Sequence, residues 1–355
     1  MTDATRELDE IDALLLDRYQ SGFPVEERPF EVIARETPYS ADVLFERLQS
    51  HVDSGLVRRI GPVLDPSAIG ASTLAALRVH EEAFAEVADV VNEFPEVTHN
   101  YRRDNEWNMW FVVTASSSNR LNDVLTDIER RTGYDPLSLP KLRQYCLDLQ
   151  FPVVADRTEG MTEMESTGSG KTASAGPAKS EGATTPSERR NTDRQLTPQE
   201  CEVLERIQDG FAISEMPYRT VASALDVDVT TVLSTIRRLL DDGFVKRVGI
   251  VINHHAAGFT SNCMLAWRVP SEEIDEVGER ASNQPYVTKC YRRVDRPDRD
   301  WSYSLFTMLH GREESAVSEW INELANDIVQ YPGVKLETVE RLKQTGTQYS
   351  DLLDS

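Results

Sequence analysis

No run of about 18 consecutive apolar residues occurs anywhere in the sequence, which excludes a membrane-spanning helix. Closely spaced cysteine pairs are missing too. Cys146, Cys201, Cys263 and Cys290 stand apart, so neither a disulfide framework nor a zinc site is expected, and no other metal site is anticipated. Basic residues are scarce: 38 Lys and Arg face 60 Asp and Glu, a formal charge of -22. That balance argues against broad binding to nucleic-acid phosphates. Spread over the whole chain, it fits an acidic surface adapted to high salt, where screening removes the self-repulsion. The first residues are acidic from Asp3 onward and show no charged-then-apolar signal pattern, so a soluble, cytoplasmic protein without membrane association is expected.

What is present is a stretch met twice. Val97-Thr98-His99-Asn100-Tyr101-Arg102-Arg103 is followed by Trp107-Asn108-Met109-Trp110-Phe111. Val287-Thr288-Lys289-Cys290-Tyr291-Arg292-Arg293 is followed by Ser304-Leu305-Phe306-Thr307-Met308. Each copy reads as two strands joined by a turn, with ionisable groups massed on the first. Such strands are costly to bury without a purpose, and two of them point to a composite site made from related halves.

The rest of the chain repeats with them. Helical spacing over 7–17, around 29–34 and over 41–52 (N-cap Ser40; apolar face Val43, Leu44, Leu48, Val52) precedes Leu56–Asp65, which reads as the wing hairpin of a winged helix-turn-helix. A strand at 72–80, a helix at 81–94, the strand pair, a helix at 118–132 and a final strand through Tyr145, Leu147, Leu149 and Phe151 give β-α-β-β-α-β, the ferredoxin-like order. From about 155 to 195 large apolar residues vanish. Gly168-Ser169-Gly170-Lys171-Thr172 lacks the first glycine and the flanking strand of a phosphate loop, and a disordered linker is expected there. Beyond it Gly243–Ile252 repeats Gly55–Leu64, Gly258 repeats Gly70, and Trp267-Arg268-Val269 repeats Leu77-Arg78-Val79, a duplication with a period of about 190 residues.

The expected architecture is therefore α+β, a tandem duplication of winged helix-turn-helix plus ferredoxin-like domain. Its boundaries are 1–66, 67–154, linker 155–195, 196–254, 255–346 and a tail 347–355. Fusion makes an intramolecular pseudo-dimer of the two halves the natural arrangement, and further oligomerisation is compatible with it.

This order resembles the Lrp/AsnC regulators, so one candidate function is a DNA-binding transcriptional regulator that senses a small ligand. Its recognition helices would offer Asp42, Glu46 and Arg47 in one half and Thr230, Thr231, Ser234, Arg237 and Arg238 in the other. The first is a poor surface for phosphates and the second is flanked by aspartates, so DNA is disfavoured. Arg58-Arg59-Ile60-Gly61, His99-Asn100-Tyr101-x-Arg103, Tyr291-x-Arg293 and Leu305–Gly311 resemble more closely the siroheme decarboxylases of the alternative haem pathway and of haem d1 synthesis, over about residues 7–152 and 196–345. The resemblance implies two subunit types fused in one chain, removing CO2 from the C12 and C18 acetates of siroheme to give 12,18-didecarboxysiroheme. No cofactor is expected beyond the iron of the substrate, since the macrocycle accepts the electrons.

On that basis His99, Tyr101, Lys289 and Tyr291 are the candidate proton donors. Arg58, Arg59, Arg102, Arg103, Lys246, Arg247, Arg292 and Arg293 are the candidates for holding the substrate carboxylates. Lys289 stands where the family's second subunit type has histidine, which makes the two halves unequal. His254-His255 is expected to serve a loop rather than a metal, and His310 to be structural.

Overall fold

A computed structural model describes residues 8–147, 151, 153 and 194–345. The expected linker, apart from its last two residues, the tail 347–355 and Leu149 of the expected final strand lie outside them. Eleven strands run through the described residues: β1 Val57–Leu64, β2 Ala71–Leu77, β3 Val97–Arg103, β4 Met109–Ala115, β5 Leu137–Leu147, β6 Val245–Ile252, β7 Ser261–Trp267, β8 Val287–Arg293, β9 Leu305–Gly311, β10 Gly333–Leu336 and β11 Thr338–Gln344. Two compact units contain them, and each unit draws on both halves of the sequence. One takes the chain up to Val63, the described part of 150–195 and Gly210–Asn253. The other takes Leu64–Leu149, Leu196–Asp209 and His254 onward.

In the first unit the helix Ala41–Asp53 starts on Ser40, whose hydroxyl accepts from Val43 N (3.4 Å), and buries Leu44 and Leu48, while Val43 stays 41% exposed. Its counterpart Val229–Asp241 starts on Asp228 and buries Val232, Ile236 and Leu239. The expected wing hairpins are absent. Val57–Leu64 is one uninterrupted strand, and β1 pairs with β6 of the other half. Gly61 and Gly249 explain why these stretches need glycine without turning. A Cβ on Gly61 would lie 2.6 Å from the Gly210 Cα, and one on Gly249 would lie 1.9 Å from the Gln20 carbonyl oxygen. These are sites of close backbone approach. Main-chain bonds cross between the halves beside them: Ile250 N to Tyr19 O (2.8 Å), Phe23 N to Val248 O (3.0 Å) and Phe211 N to Ile60 O (2.7 Å).

In the second unit each half follows the expected β-α-β-β-α-β order. Apolar spacing places Leu121, Val124 and Ile128 of the helix Ser118–Thr132 on the sheet; Ser117 caps its start and left-handed Gly133 ends it. The helices Phe84–Glu93 and Ser118–Thr132 cover one face of β2, β3 and β4, burying Phe84, Val87, Val91, Val97, Met109 and Phe111. Ile274–Ser282 and Glu314–Glu323 do the same for β7, β8 and β9.

The last strand of each half then changes partner. Leu137–Pro140 of β5 pairs with its own β2, but Lys141–Leu147 pairs with β8 of the second half. Reciprocally, β10 pairs with β7 and β11 with β3 of the first half. The order β10-β7-β9-β8-β5-β2-β4-β3-β11 thus begins and ends on one stretch of chain broken only at Glu337. Two arginines, Arg103 buried and Arg293 half-buried, mark the exchange at corresponding positions: Arg103 Nη1 donates to the Leu336 carbonyl (2.7 Å) and Arg293 Nη1 to the Leu139 carbonyl (2.8 Å). The faces without helices share a third core of Leu74, Ala76, Trp110, Leu137, Leu139, Ala266, Phe306 and Leu336. There Trp110 meets Trp301 edge-on at 5.1 Å, a pairing worth about 0.5–1.5 kcal/mol beyond its buried area.

Candidate active site

Strand alternation sorts the repeated motif onto two faces. On β3, Asn100 and Arg102 point to the helices: Asn100 donates to Asn92 (3.0 Å), while Arg102 lies over Phe84 (4.5 Å) and pairs with Glu81 (2.6 Å). His99, Tyr101 and Arg103 take the opposite face. β8 repeats the division, with Cys290 and Arg292 towards the helix Ile274–Ser282, where Arg292 faces Asp275 (3.7 Å), and Lys289, Tyr291 and Arg293 opposite. Of the arginines expected to hold substrate, Arg102 and Arg292 therefore serve the helix side. Arg103 and Arg293 tie the exchanged strands together. Arg58 and Arg59 on β1 and Lys246 and Arg247 on β6 belong to the other unit, where Arg59 Nη1 donates to the Pro62 carbonyl (2.9 Å).

Around His99 the strand exchange gathers groups far apart in the sequence. The His99 ring stacks near Tyr101 (6.2 Å, 29°), and Arg341 of β11 stands directly opposite Tyr101 in the register. Arg341 Nη2 lies 3.3 Å from His255 Nε2. A guanidinium can only donate, so this His255 nitrogen accepts. The His255 ring is 4.2 Å from His254, which meets His310 edge-on at 5.7 Å. The Thr288 hydroxyl donates to the Met308 carbonyl (3.0 Å) and so accepts from His310 Nδ1 (2.7 Å), placing that imidazole's proton on Nδ1. Thr98 stands in the same relation to His99 Nδ1 (3.0 Å). Four of the six histidines meet here, within a chain of charge -22, beside Lys289 and Arg341. Among the described residues no group of three or more His, Cys, Asp or Glu side chains could hold a metal ion.

The cluster controls its own protonation. Burial, then the Lys289 ammonium and the Arg341 guanidinium, push His99 down to about 4. Burial, Lys289, His254 and His255 push His310 down to about 3. Both are therefore neutral at pH 7. Burial raises the Tyr101 phenol against the pull of Arg341 and Arg103, which keeps it protonated and able to donate. Tyr291 is likewise raised by burial, but its neighbours are Arg293 (5.5 Å), Lys141 (5.7 Å) and the carboxylate of Asp65. Arg341 was not singled out from the sequence, and His254-His255 and His310 were expected to serve a loop and to be structural. The signal available was indirect, a lone Arg in the last amphipathic strand and histidines at positions where the other half has none.

The helix-turn-helix side chains that would read DNA are largely engaged within the protein. Arg47 pairs with Asp9 (2.8 Å) and buried Asp12 (2.9 Å), and Asp12 also holds His51 (2.7 Å). Arg237 pairs with Glu26 (2.7 Å) and Arg219 with Glu27. Two surface hollows of about 590 and 530 Å³ lie in this unit and contain none of the clustered histidines.

Duplicated helix-turn-helix segments and ferredoxin-like halves with exchanged strands define an AsnC-type ligand-binding fold. The AsnC-like ligand binding domain matches residues 68–145 and 256–343, and the siroheme decarboxylase NirDL-like HTH domain matches 12–58 and 200–245. The siroheme decarboxylase NirDL subunit of Paracoccus denitrificans is 33% identical over 316 residues, 89% of each chain, and the siroheme decarboxylase of Hydrogenobacter thermophilus is 28% identical over 85% of this chain and 84% of its own. The NirD subunit of Pseudomonas aeruginosa aligns over its whole length with 42% of this chain at 42% identity. Crystal structures of the siroheme decarboxylase NirDL, alone and with an iron-uroporphyrin III analogue, share the fold over 97% of this chain and 96% of theirs, with TM-scores of 0.71 and 0.69 at 23% and 24% identity. The chain belongs to the siroheme decarboxylase family and is accordingly a decarboxylating lyase.

Proposed function

We propose that the chain removes CO2 from the C12 and C18 acetates of siroheme, in haem or haem d1 biosynthesis, at the cluster around His99. The observation that carries this is the cationic and imidazole-rich face of His99, Tyr101, Lys289, Arg341, His255 and His310 in a strongly acidic protein. A polycarboxylate macrocycle calls for such a face. The name of the Paracoccus relative, and the iron-uroporphyrin analogue held by the related crystal structure, support the same substrate class.

In this mechanism Arg341 and Lys289 orient substrate carboxylates, Arg341 being held by His255. Loss of CO2 sends the bonding pair of the acetate into the conjugated ring system, and a proton delivered to the methylene carbon leaves a methyl group. His99 delivers that proton, with Tyr101 donating beside it. Substrate carboxylates offset the fields of Lys289 and Arg341, so binding itself lifts the His99 pKa toward the working range. Anaerobic incubation with siroheme in high salt, followed by mass spectrometry, tests the reading. Loss of two CO2 units is expected, and binding without a mass change would refute it.

A further inference from the structure

We infer that Cys146 and Cys290 form a redox-active thiol pair, the modification site at which a low-molecular-weight disulfide is reduced and the two halves of the chain become covalently joined. The inference is independent of the reaction proposed for the His99 face.

These cysteines are far apart in the sequence, and the strand exchange brings them together. In the pairing of β5 with β8, Cys146 stands directly opposite Cys290, and a register shift between Gln144 and Cys146 leaves Tyr145 over as the extra residue of a bulge. Directly opposed residues of antiparallel strands share a face and have Cα atoms roughly 4.5–5.5 Å apart, inside the span of about 4.4–6.8 Å that a disulfide bridges. Both side chains accordingly belong to the same apolar core, beneath the helix Ile274–Ser282. Both are thiols, and each donates to a main-chain carbonyl at 3.6 Å, Cys146 to Val287 and Cys290 to Gly278. A thiol is a weak donor, so turning the two sulfurs toward each other about χ1 gives up little. Cys263 faces Leu309 and Cys201 lies on the helix Pro198–Ile207, so among the described residues the register opposes no other two cysteines. The duplication does not repeat the pair either. At the matching place between β11 and β3, Lys343 faces Asn100, and Lys343 Nζ donates to the carbonyls of Asn92 (2.7 Å) and Phe94 (2.8 Å). One seam of the exchange can be bonded and the other cannot.

Burial orders the steps. Cys146 is half-buried, whereas Cys290 is fully buried and its thiol is pushed well above the usual range by that burial. An incoming disulfide RSSR therefore meets Cys146 first. The Cys146 sulfur, losing its proton, attacks one sulfur of RSSR; the R–S–S–R bond breaks, a mixed disulfide forms and RSH leaves with that proton. The Cys290 sulfur then attacks Cys146 Sγ, the Cys146–Cys290 bond forms, and the second RSH leaves with the Cys290 proton. The pair has lost two electrons and two protons, and RSSR has been reduced to two RSH. Because the buried Cys290 resists deprotonation, the second step is the slow one. The product ties β5 of the first half to β8 of the second and closes a long loop, which stabilises the fold by restricting the unfolded chain.

The test exposes the native full chain to a mixture of reduced and oxidised glutathione, alkylates the remaining thiols and maps the peptides by mass spectrometry. An intramolecular Cys146–Cys290 bond is expected, and the thermal unfolding midpoint should rise by about 5 °C on oxidation. Cys290→Ser should stop with glutathione on Cys146. Cys146→Ser, a change at the half-buried position, should leave Cys290 a thiol. Neither variant should gain in midpoint. Glutathione retained on Cys146 of the parent, both cysteines still thiols, a bond to Cys201 or Cys263 instead, or a Cys146–Cys290 bond without a rise in midpoint would each overturn the inference.

Discussion

Replacing His99 by glutamine should remove a measurable part of the protein's sensitivity to acid. An imidazole with an ordinary pKa of 6.5 in the unfolded chain and about 4 in the folded one binds its proton more readily when unfolded. Stability contributed by keeping it neutral is complete above pH 6.5 and is lost as pH falls towards 4. Between pH 7.5 and 5 that loss is roughly 2 kcal/mol, and it approaches about 3.4 kcal/mol once both states are protonated. Glutamine cannot titrate. Urea unfolding followed by tryptophan fluorescence, at fixed high salt and at pH 7.5 and 5, should show the parent losing roughly 2 kcal/mol more than the variant. Equal losses would mean that His99 titrates normally in the fold, and burial beside Lys289 and Arg341 would then explain nothing about it. Imidazole NMR gives the same answer directly, with a midpoint near 4 in the free protein that rises when a polycarboxylate tetrapyrrole is added.

Three other outcomes follow from the same structure. Lys289→Gln removes a cation acting on both buried imidazoles, so the NMR midpoints of His99 and His310 should both rise, whereas Arg58→Gln in the other unit should move neither. Gly249→Ala places a methyl 1.9 Å from the Gln20 carbonyl oxygen and should destabilise the fold by about 1–3 kcal/mol in urea unfolding, the usual cost of overpacking. With a formal charge of -22, raising KCl from 0.1 M to 2 M should increase the unfolding midpoint; a midpoint that falls would contradict adaptation to high salt.

Local pattern carried a good deal of this to the page before any coordinates. Leu121, Val124 and Ile128 at helical spacing, Ser40 as a cap and the β-α-β-β-α-β order are short-range signals, and the structure contains all of them. The wing hairpins failed because Gly61 looks like a turn residue; a position needing glycine for close approach to Gly210 has the same letter. The paired arginines were legible in part. Alternation separates Arg102 from Arg103, which leaves Arg102 with Glu81 and Arg103 with the Leu336 carbonyl. Arg341 was out of reach. It meets Tyr101 across some 240 residues by a strand exchange that no local periodicity encodes.

The exchange also sets the order in which the protein can be finished. β3, bearing His99 and Tyr101, has an open edge until β11 is made, and β11 closes the described chain. At 5–20 residues per second, that delay is roughly 12–50 s of synthesis. Through that interval the nascent first half exposes unpaired main-chain groups, the kind of edge that recruits foreign strands.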